Sequence, residues 1–306
     1  MKIEKKSKKV LSSDHRHILS GKVYVPDCEP KGIFQVVHGM TEHIGRYDSF
    51  MTEIAQEGYI VFGYDHLGHG HTVENESEYG YISKKDGWKF LVNDVAIFAK
   101  AVKNQYGKEL PYILMGHSMG SFIVRINAAH FNWQDKLIIM GTGGSQPGVR
   151  AGLALLKALK LVRGDHYISD TIEDIAFGAY NERFPDCGEH GWISTKKEVR
   201  DAYEADPLCS FRFTVSAMED LMHLSEKCNT SNWYAAIDKE KPMILLSGCD
   251  DPVGDYGDGV RTIYEILRAN GANAEIRLYE GCRHEILNDT CRDEVMSDIK
   301  LFLEKE

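Results

Sequence analysis

The sequence predicts an α/β fold, a doubly wound and mostly parallel sheet with a helical insertion. Three observations predict it: unbroken apolar runs of strand length, amphipathic segments between them, and one long stretch with no such run. Runs that are apolar throughout, rather than alternating, belong to strands covered on both faces. Six occur, at 32–38 (GIFQVVH), 59–64 (YIVFGY), 111–116 (PYILMG), 136–141 (KLIIMG), 242–248 (PMILLSG) and 274–279 (AEIRLY). Between them, Trp88, Leu91, Val92, Val95, Phe98 and Val102 recur at the helical period, as do Val260, Ile263, Tyr264 and Leu267, and then Val295, Ile299, Phe302 and Leu303. Strands alternating with helices imply a parallel sheet whose site lies where the loops gather, at the carboxyl ends of the strands. From 145 to 240 the strand rhythm stops and helix formers and aromatics take over. This stretch is expected to be a mostly helical cap, or lid, on a core made of 1–144 and 241–306.

The bulk numbers agree with an ordinary globular chain. The 306 residues suffice for a core domain plus an insertion, and 43% apolar with 27% charged residues exclude a disordered or fibrous protein. A formal net charge of −10 argues against a nucleic-acid partner. Lys2, Lys5, Lys6, Lys8 and Lys9 read as a solvated, frayed terminus. No apolar stretch follows them, so no secretory signal is expected, and nothing approaches the ~20 apolar residues of a membrane helix. The seven cysteines are odd in number, scattered and without a C-x-x-C pair. A reduced, cytoplasmic location with no disulfide framework is expected.

The chemistry concentrates in a few places. Gly116-His117-Ser118-Met119-Gly120 follows the PYILM strand and opens a helical stretch, which is G-x-S-x-G in strand–turn–helix context. The serine of such a turn is strained and its flanking glycines leave room for neighbouring backbone, so Ser118 is the candidate nucleophile. A serine hydroxyl needs a base, and His284 stands just past the last strand. The base needs a carboxylate, and Asp250 and Asp251 follow the PMILLSG strand; Asp251 is the preferred partner, with Asp250 at the turn. The order Ser118, Asp251, His284 is that of the α/β-hydrolases. For the oxyanion, the expected donors are the backbone N–H groups of Met119 and of Met40, in the loop His38-Gly39-Met40-Thr41-Glu42-His43.

These tracts resemble a known family. His38 to His43, Arg46-Tyr47, Asp65-His66-Leu67-Gly68-His69-Gly70 and GHSMG look like the monoacylglycerol lipase and lysophospholipase branch of the α/β-hydrolases. Ser247 to Gly254, Arg283 to Asn288 and the cap tract Ala205-Asp206-Pro207-Leu208 are similar too. The resemblance implies hydrolysis of acyl esters with a glycerol-like or other small alcohol part, and no cofactor. The chain departs from the family at Thr72, often a serine, and at Met40, often smaller; the cap is the least similar region. Substrate contacts are expected from cap residues 145–240.

Other readings stand beside this one. The histidine-rich Asp65–His71 stretch invites a metal, but its spacing and glycines fit a loop that buttresses the oxyanion loop, and no metal is expected. Leu153, Leu155, Leu156, Leu159, Leu161 and Val162 beside Lys157, Lys160 and Arg163 form a cationic amphipathic helix, which either packs on the core or makes transient contact with a membrane or micelle. The triad could also serve a short-chain or aryl esterase or an amidase, or the fold could be a non-catalytic binding protein.

Overall fold

The computed structural model describes residues 1–145 and 148–305. Residues 146 and 147 of the expected cap and residue 306 of the expected core lie outside the described residues. Among the described residues, eight strands make one sheet: β1 (Ile3–Leu11), β2 (Ile18–Pro26), β3 (Gly32–Val37), β4 (Tyr59–Tyr64), β5 (Tyr112–His117), β6 (Lys136–Met140), β7 (Met243–Gly248) and β8 (Ala274–Tyr279). Their order is β1-β2-β4-β3-β5-β6-β7-β8. β2 runs antiparallel to β1 and β4, and every pairing from β4 to β8 is parallel.

Both faces of the sheet are covered, which explains the unbroken apolar runs. Alternate side chains of a strand point to opposite faces. In β3, Ile33 and Val37 join one buried cluster with Leu91, Ile123 and Val260, while Phe34 and Val36 join another with Met51, Ile299 and Phe302. The first face carries α2 (Gly87–Tyr106), α3 (Met119–Phe131) and α9 (Asp258–Ala269); the second carries α1 (Asp48–Gln56) and α10 (Arg292–Glu304).

The lysine-rich start is not frayed. It is edge strand β1, paired with β2 along its whole length, with Lys5 Nζ 2.8 Å from Asp48 and Lys8 Nζ 2.7 Å from Gln105. Lysines on an edge strand keep its open hydrogen-bonding groups from recruiting another chain, which accounts for the pattern.

Between β6 and β7 run α4 (Val149–Arg163), α5 (Asp170–Phe177), α6 (Lys197–Ala205), α7 (Val215–Cys228) and α8 (Ser231–Ala236), with no strand among the described residues. Leu224, Cys228, Trp233 and Tyr234 of α7 and α8 belong to the same buried cluster as the sheet. Fully buried Arg125 of α3 ties them down: Nη2 donates to Cys228 O at 2.6 Å and to Asn229 Oδ1 at 2.8 Å, and the guanidinium lies 4.4 Å from the centre of the Trp233 ring. Asp220 of α7 reaches across to α2, accepting from Trp88 N at 2.9 Å, while its Oδ2 is buried without a hydrogen-bond partner among the described residues. Farther out, α4 buries Leu153 and Leu156 but leaves Leu161 88% and Val162 80% exposed. Among the described residues, no helix is long and apolar enough to cross a membrane.

Candidate active site

Ser118 sits between β5 and α3 with φ 56° and ψ −124°, a conformation that costs an L residue energy and persists only where its surroundings enforce it. The enforcement is visible. Ser118 N–H donates to Met140 O at 3.0 Å, and Ser118 O accepts from Ser121 N at 2.8 Å. A Cβ on Gly116 would stand 2.2 Å from Gly120 O, and one on Gly120 would stand 2.1 Å from Val37 O. Both glycines are therefore obligatory for this turn. The serine is half-buried, at the positive end of α3.

The loop after β3 backs onto that serine. A Cβ on Gly39 would come within 2.9 Å of Ser118 Cβ, so only glycine allows the approach. Met40 follows, half-buried, and then Thr41 at φ 52°, a left-handed conformation that a β-branched residue rarely takes. Thr41 is held from two sides. Its N–H donates to His69 Nε2 at 3.2 Å, and its carbonyl accepts from Tyr203 OH of α6 at 3.0 Å.

Three buried histidines carry this loop. His38 donates from Nδ1 to Gly39 O at 2.8 Å and accepts His66 N–H on Nε2 at 3.0 Å. His66 donates from Nε2 to His38 O at 3.1 Å, and His69 donates from Nδ1 to Leu67 O at 2.9 Å. Burial, reinforced by the neighbouring imidazoles, holds His38 well below the usual histidine range; burial, then the nearby His69, takes His66 down to about 3, and burial takes His69 to about 4. All three are neutral at physiological pH, and the neutral rings of His38 and His69 can each accept a backbone N–H on Nε2. Asp65 fixes the next turn, accepting from Ile44 N and His71 N, each at 2.8 Å.

His284 follows β8 and Asp251 follows β7. Asp251 Oδ2 lies 2.9 Å from His284 Nδ1; the imidazole is 3% exposed and the carboxylate fully buried. Asp251 also accepts from Val253 N at 2.9 Å, whereas Asp250 is half-buried and pairs through its backbone with Cys282 O. His284 Nε2 is buried without a hydrogen-bond partner among the described residues. The ring lies beside the end of β6, where a Cβ on Gly141 would meet His284 Cε1 at 3.1 Å, one residue past the carbonyl that holds Ser118 N–H. The candidate acid, base and nucleophile thus gather at the carboxyl ends of β5, β7 and β8.

Several partners at this site have no local signature in the sequence. His117, inside the G-x-S-x-G turn, lies with Nε2 3.2 Å from His284 O and Nδ1 2.8 Å from Tyr47 OH. Glu42 accepts from Gly39 N at 2.6 Å and from Tyr47 OH at 2.8 Å. Arg46 bridges Glu42 at 3.2 Å to Glu285 at 2.8 Å. Burial by itself would lower His117, but its hydrogen bond to Glu42 and the charges of Glu42 and Glu285 outweigh that and raise it. Glu42 moves the opposite way: burial would raise it, yet His117 and Arg46 hold it far below the carboxylate range. A polar cluster thus links the loop after β3 to the backbone of His284. Arg46 and Tyr47 stand in the sequence as motif letters only, because their partners are remote in the chain.

Met40 also lines a recess with Ile172, Glu173, Phe177, Phe213 and Met218 of the segment between β6 and β7. Most of these side chains are apolar, with Glu173 as the one carboxylate. Among the described residues, two groups have the donor types of a metal site: His43 with Asp206 and Cys209, and His17 with Glu74 and Glu78. Neither includes a residue of the Asp65–His71 stretch, where the imidazoles of His66 and His69 are engaged with backbone.

This architecture is shared with known proteins. The chain is 26% identical to the monoglyceride lipase of Homo sapiens over 85% of this chain and 77% of that protein. It is 25% identical to the monoacylglycerol lipase of Mycolicibacterium smegmatis over 92% and 91%, respectively. Among solved structures, a thermostable carboxyl esterase from Bacillus coagulans in complex with glycerol superposes with a TM-score of 0.90 at 30% identity, covering 99% of this chain and 98% of that one. The family model described as serine aminopeptidase S33 matches residues 28–291, and the chain belongs to that family, Hydrolase_4, of the α/β-hydrolases.

Proposed function

We propose that the protein is a serine carboxylester hydrolase that cleaves monoacylglycerol-like or lysophospholipid-like acyl esters, with Ser118 as nucleophile, His284 as general base and Asp251 as the group that orients it. The observation that carries this reading is the strained, half-buried Ser118 after β5 together with His284 after β8, whose Nδ1 meets the fully buried Asp251 carboxylate at 2.9 Å. His284 takes the Ser118 proton as the hydroxyl attacks the ester carbonyl, and the N–H groups of Met40 and Met119 receive the oxyanion. The alcohol departs with the proton from His284. Water, deprotonated by the same imidazole, then releases the acid and restores the serine.

The segment 145–240 serves as the cap in this reading, with Ile172, Phe177, Phe213 and Met218 as the apolar side chains that share a recess with Met40 of the loop after β3. The relatives named for monoacylglycerol hydrolysis, and the esterase with bound glycerol, support a small alcohol part. Exposed Leu161 and Val162 on cationic α4 support brief contact with a micelle or membrane surface. Seven cysteines without a disulfide support a reducing, cytoplasmic setting. The family's description, together with Glu173 in the recess, favours amide cleavage as the second reading.

A fluorophosphonate probe and a substrate series test both. The expected result is labelling of the wild type that Ser118→Ala abolishes, with rates highest on monoacylglycerols or lysophospholipids of one chain length. Faster turnover of aminoacyl amides would favour the second reading, and an unlabelled wild type would refute a serine hydrolase altogether.

A further inference from the structure

His284 lies in a loop outside the sheet, so something other than strand pairing must fix its backbone. That support comes from residues 191–195, an irregular piece of chain between α5 and α6. His284 N–H donates to Trp192 O at 3.3 Å and Glu285 N–H to Ile193 O at 2.8 Å. The Trp192 ring centre is 4.9 Å from that of the His284 imidazole. Arg283 reinforces the pairing, donating from Nη1 to Gly191 O at 2.5 Å and to Ser194 O at 3.2 Å.

A second side chain, that of Asp289, also joins the two segments. Asp289 is fully buried and accepts from Arg283 N at 3.0 Å, Thr195 N at 3.1 Å, Thr290 N at 2.9 Å and the Thr195 hydroxyl. A buried carboxylate is tolerated when its oxygens are satisfied in this way, and hydrogen bonds to an ionised group are the strong ones. Two of its donors belong to residue 195, two positions past Ile193, and one to residue 283, next to His284.

We infer that Asp289 is a positioning residue for His284: by holding Thr195 and Arg283 together it sets the backbone pairing of 192–193 with 284–285 that presents the imidazole to Asp251. The inference rests on His284 being the base of the proposed reaction. It makes the 191–195 segment part of the support of the base as well as a cover. A base displaced by about 1 Å can cost on the order of 10²-fold in rate without touching substrate binding.

The test compares Asp289→Asn, Asp289→Glu, Thr195→Val and His284→Ala in the full chain, on a soluble p-nitrophenyl ester. In Asp289→Asn, kcat is expected to fall by roughly 10²-fold with KM unchanged. The low-field NMR signal of the His284 Nδ1 proton should weaken while circular dichroism stays native, and Asp289→Glu should recover part of the rate. Thr195→Val, which removes one donor and leaves the carboxylate, should lower kcat by about tenfold; it decides the matter if Asp289→Asn does not fold. Wild-type kcat and an unchanged Nδ1 signal in folded Asp289→Asn or Thr195→Val, beside an inactive His284→Ala, would overturn this inference while sparing the proposed function. An active His284→Ala would overturn both.

Discussion

The strand-end loops and the helices between β6 and β7 are built on opposite plans. Around Ser118, nearly every polar group is buried and committed: three neutral histidines to backbone, Asp65 to two N–H groups, and Glu42 and Glu285 to one arginine. Out on α4 and α5, Leu161, Val162 and Ile175 are 70–88% exposed. Buried polar networks specify one geometry because each unsatisfied member is costly, whereas an exposed apolar surface specifies no partner until one arrives. Under the proposed function, precision for the reaction and tolerance toward the substrate would be assigned to different parts of one chain.

Substitutions can break this contrast in order of severity. Ser118→Ala should remove roughly 10⁶-fold of the ester hydrolysis rate while the melting curve stays native. Asp251→Asn should cost about 10⁴-fold in kcat, since the imidazole loses the acceptor that holds its tautomer. His69→Ala leaves Thr41 N–H buried without its acceptor; urea unfolding should show a loss of about 1–3 kcal/mol. The relaxed oxyanion loop should also lower kcat by roughly 10- to 100-fold, less than or equal to the loss of a donor itself. On the outer helices the effect should depend on the assay. Leu161→Asp with Val162→Asp should reduce hydrolysis of micellar esters by about tenfold, the scale of one lost apolar contact, and leave a soluble short-chain ester unaffected.

The smallest effect concerns the joint between the regions. Burial raises the Asp220 carboxyl to about 7. Because the folded value lies above the unfolded one, the folded chain holds this proton more tightly. The contribution is full below about pH 4 and is lost as pH rises through about 7. Asp220→Asn should therefore flatten the fall in Tm between pH 5 and pH 8 by about 2–4 °C, measured by calorimetry.

Much of the inner plan was legible before any coordinates. The parallel strands declare themselves because both faces are covered, and the elbow declares itself because Gly116 and Gly120 have no alternative to glycine. The order of Ser118, Asp251 and His284 follows from which strand each succeeds. By contrast, β1 escaped notice, since an edge strand dressed with lysine has the composition of a loose end. His117 against the His284 carbonyl, Tyr203 against Thr41 and Thr195 against Asp289 were invisible for another reason. They span 167, 162 and 94 residues, and no local pattern encodes which remote backbone group a side chain will meet.

Thr41 has a bearing on protein engineering. Its left-handed backbone is gripped by a tyrosine from α6, so the outer helices cannot be exchanged like an interchangeable attachment. A chimera that grafts a relative's β6–β7 helices onto this body must import a hydroxyl where Tyr203 stands, or accept a loop after β3 that has lost its shape.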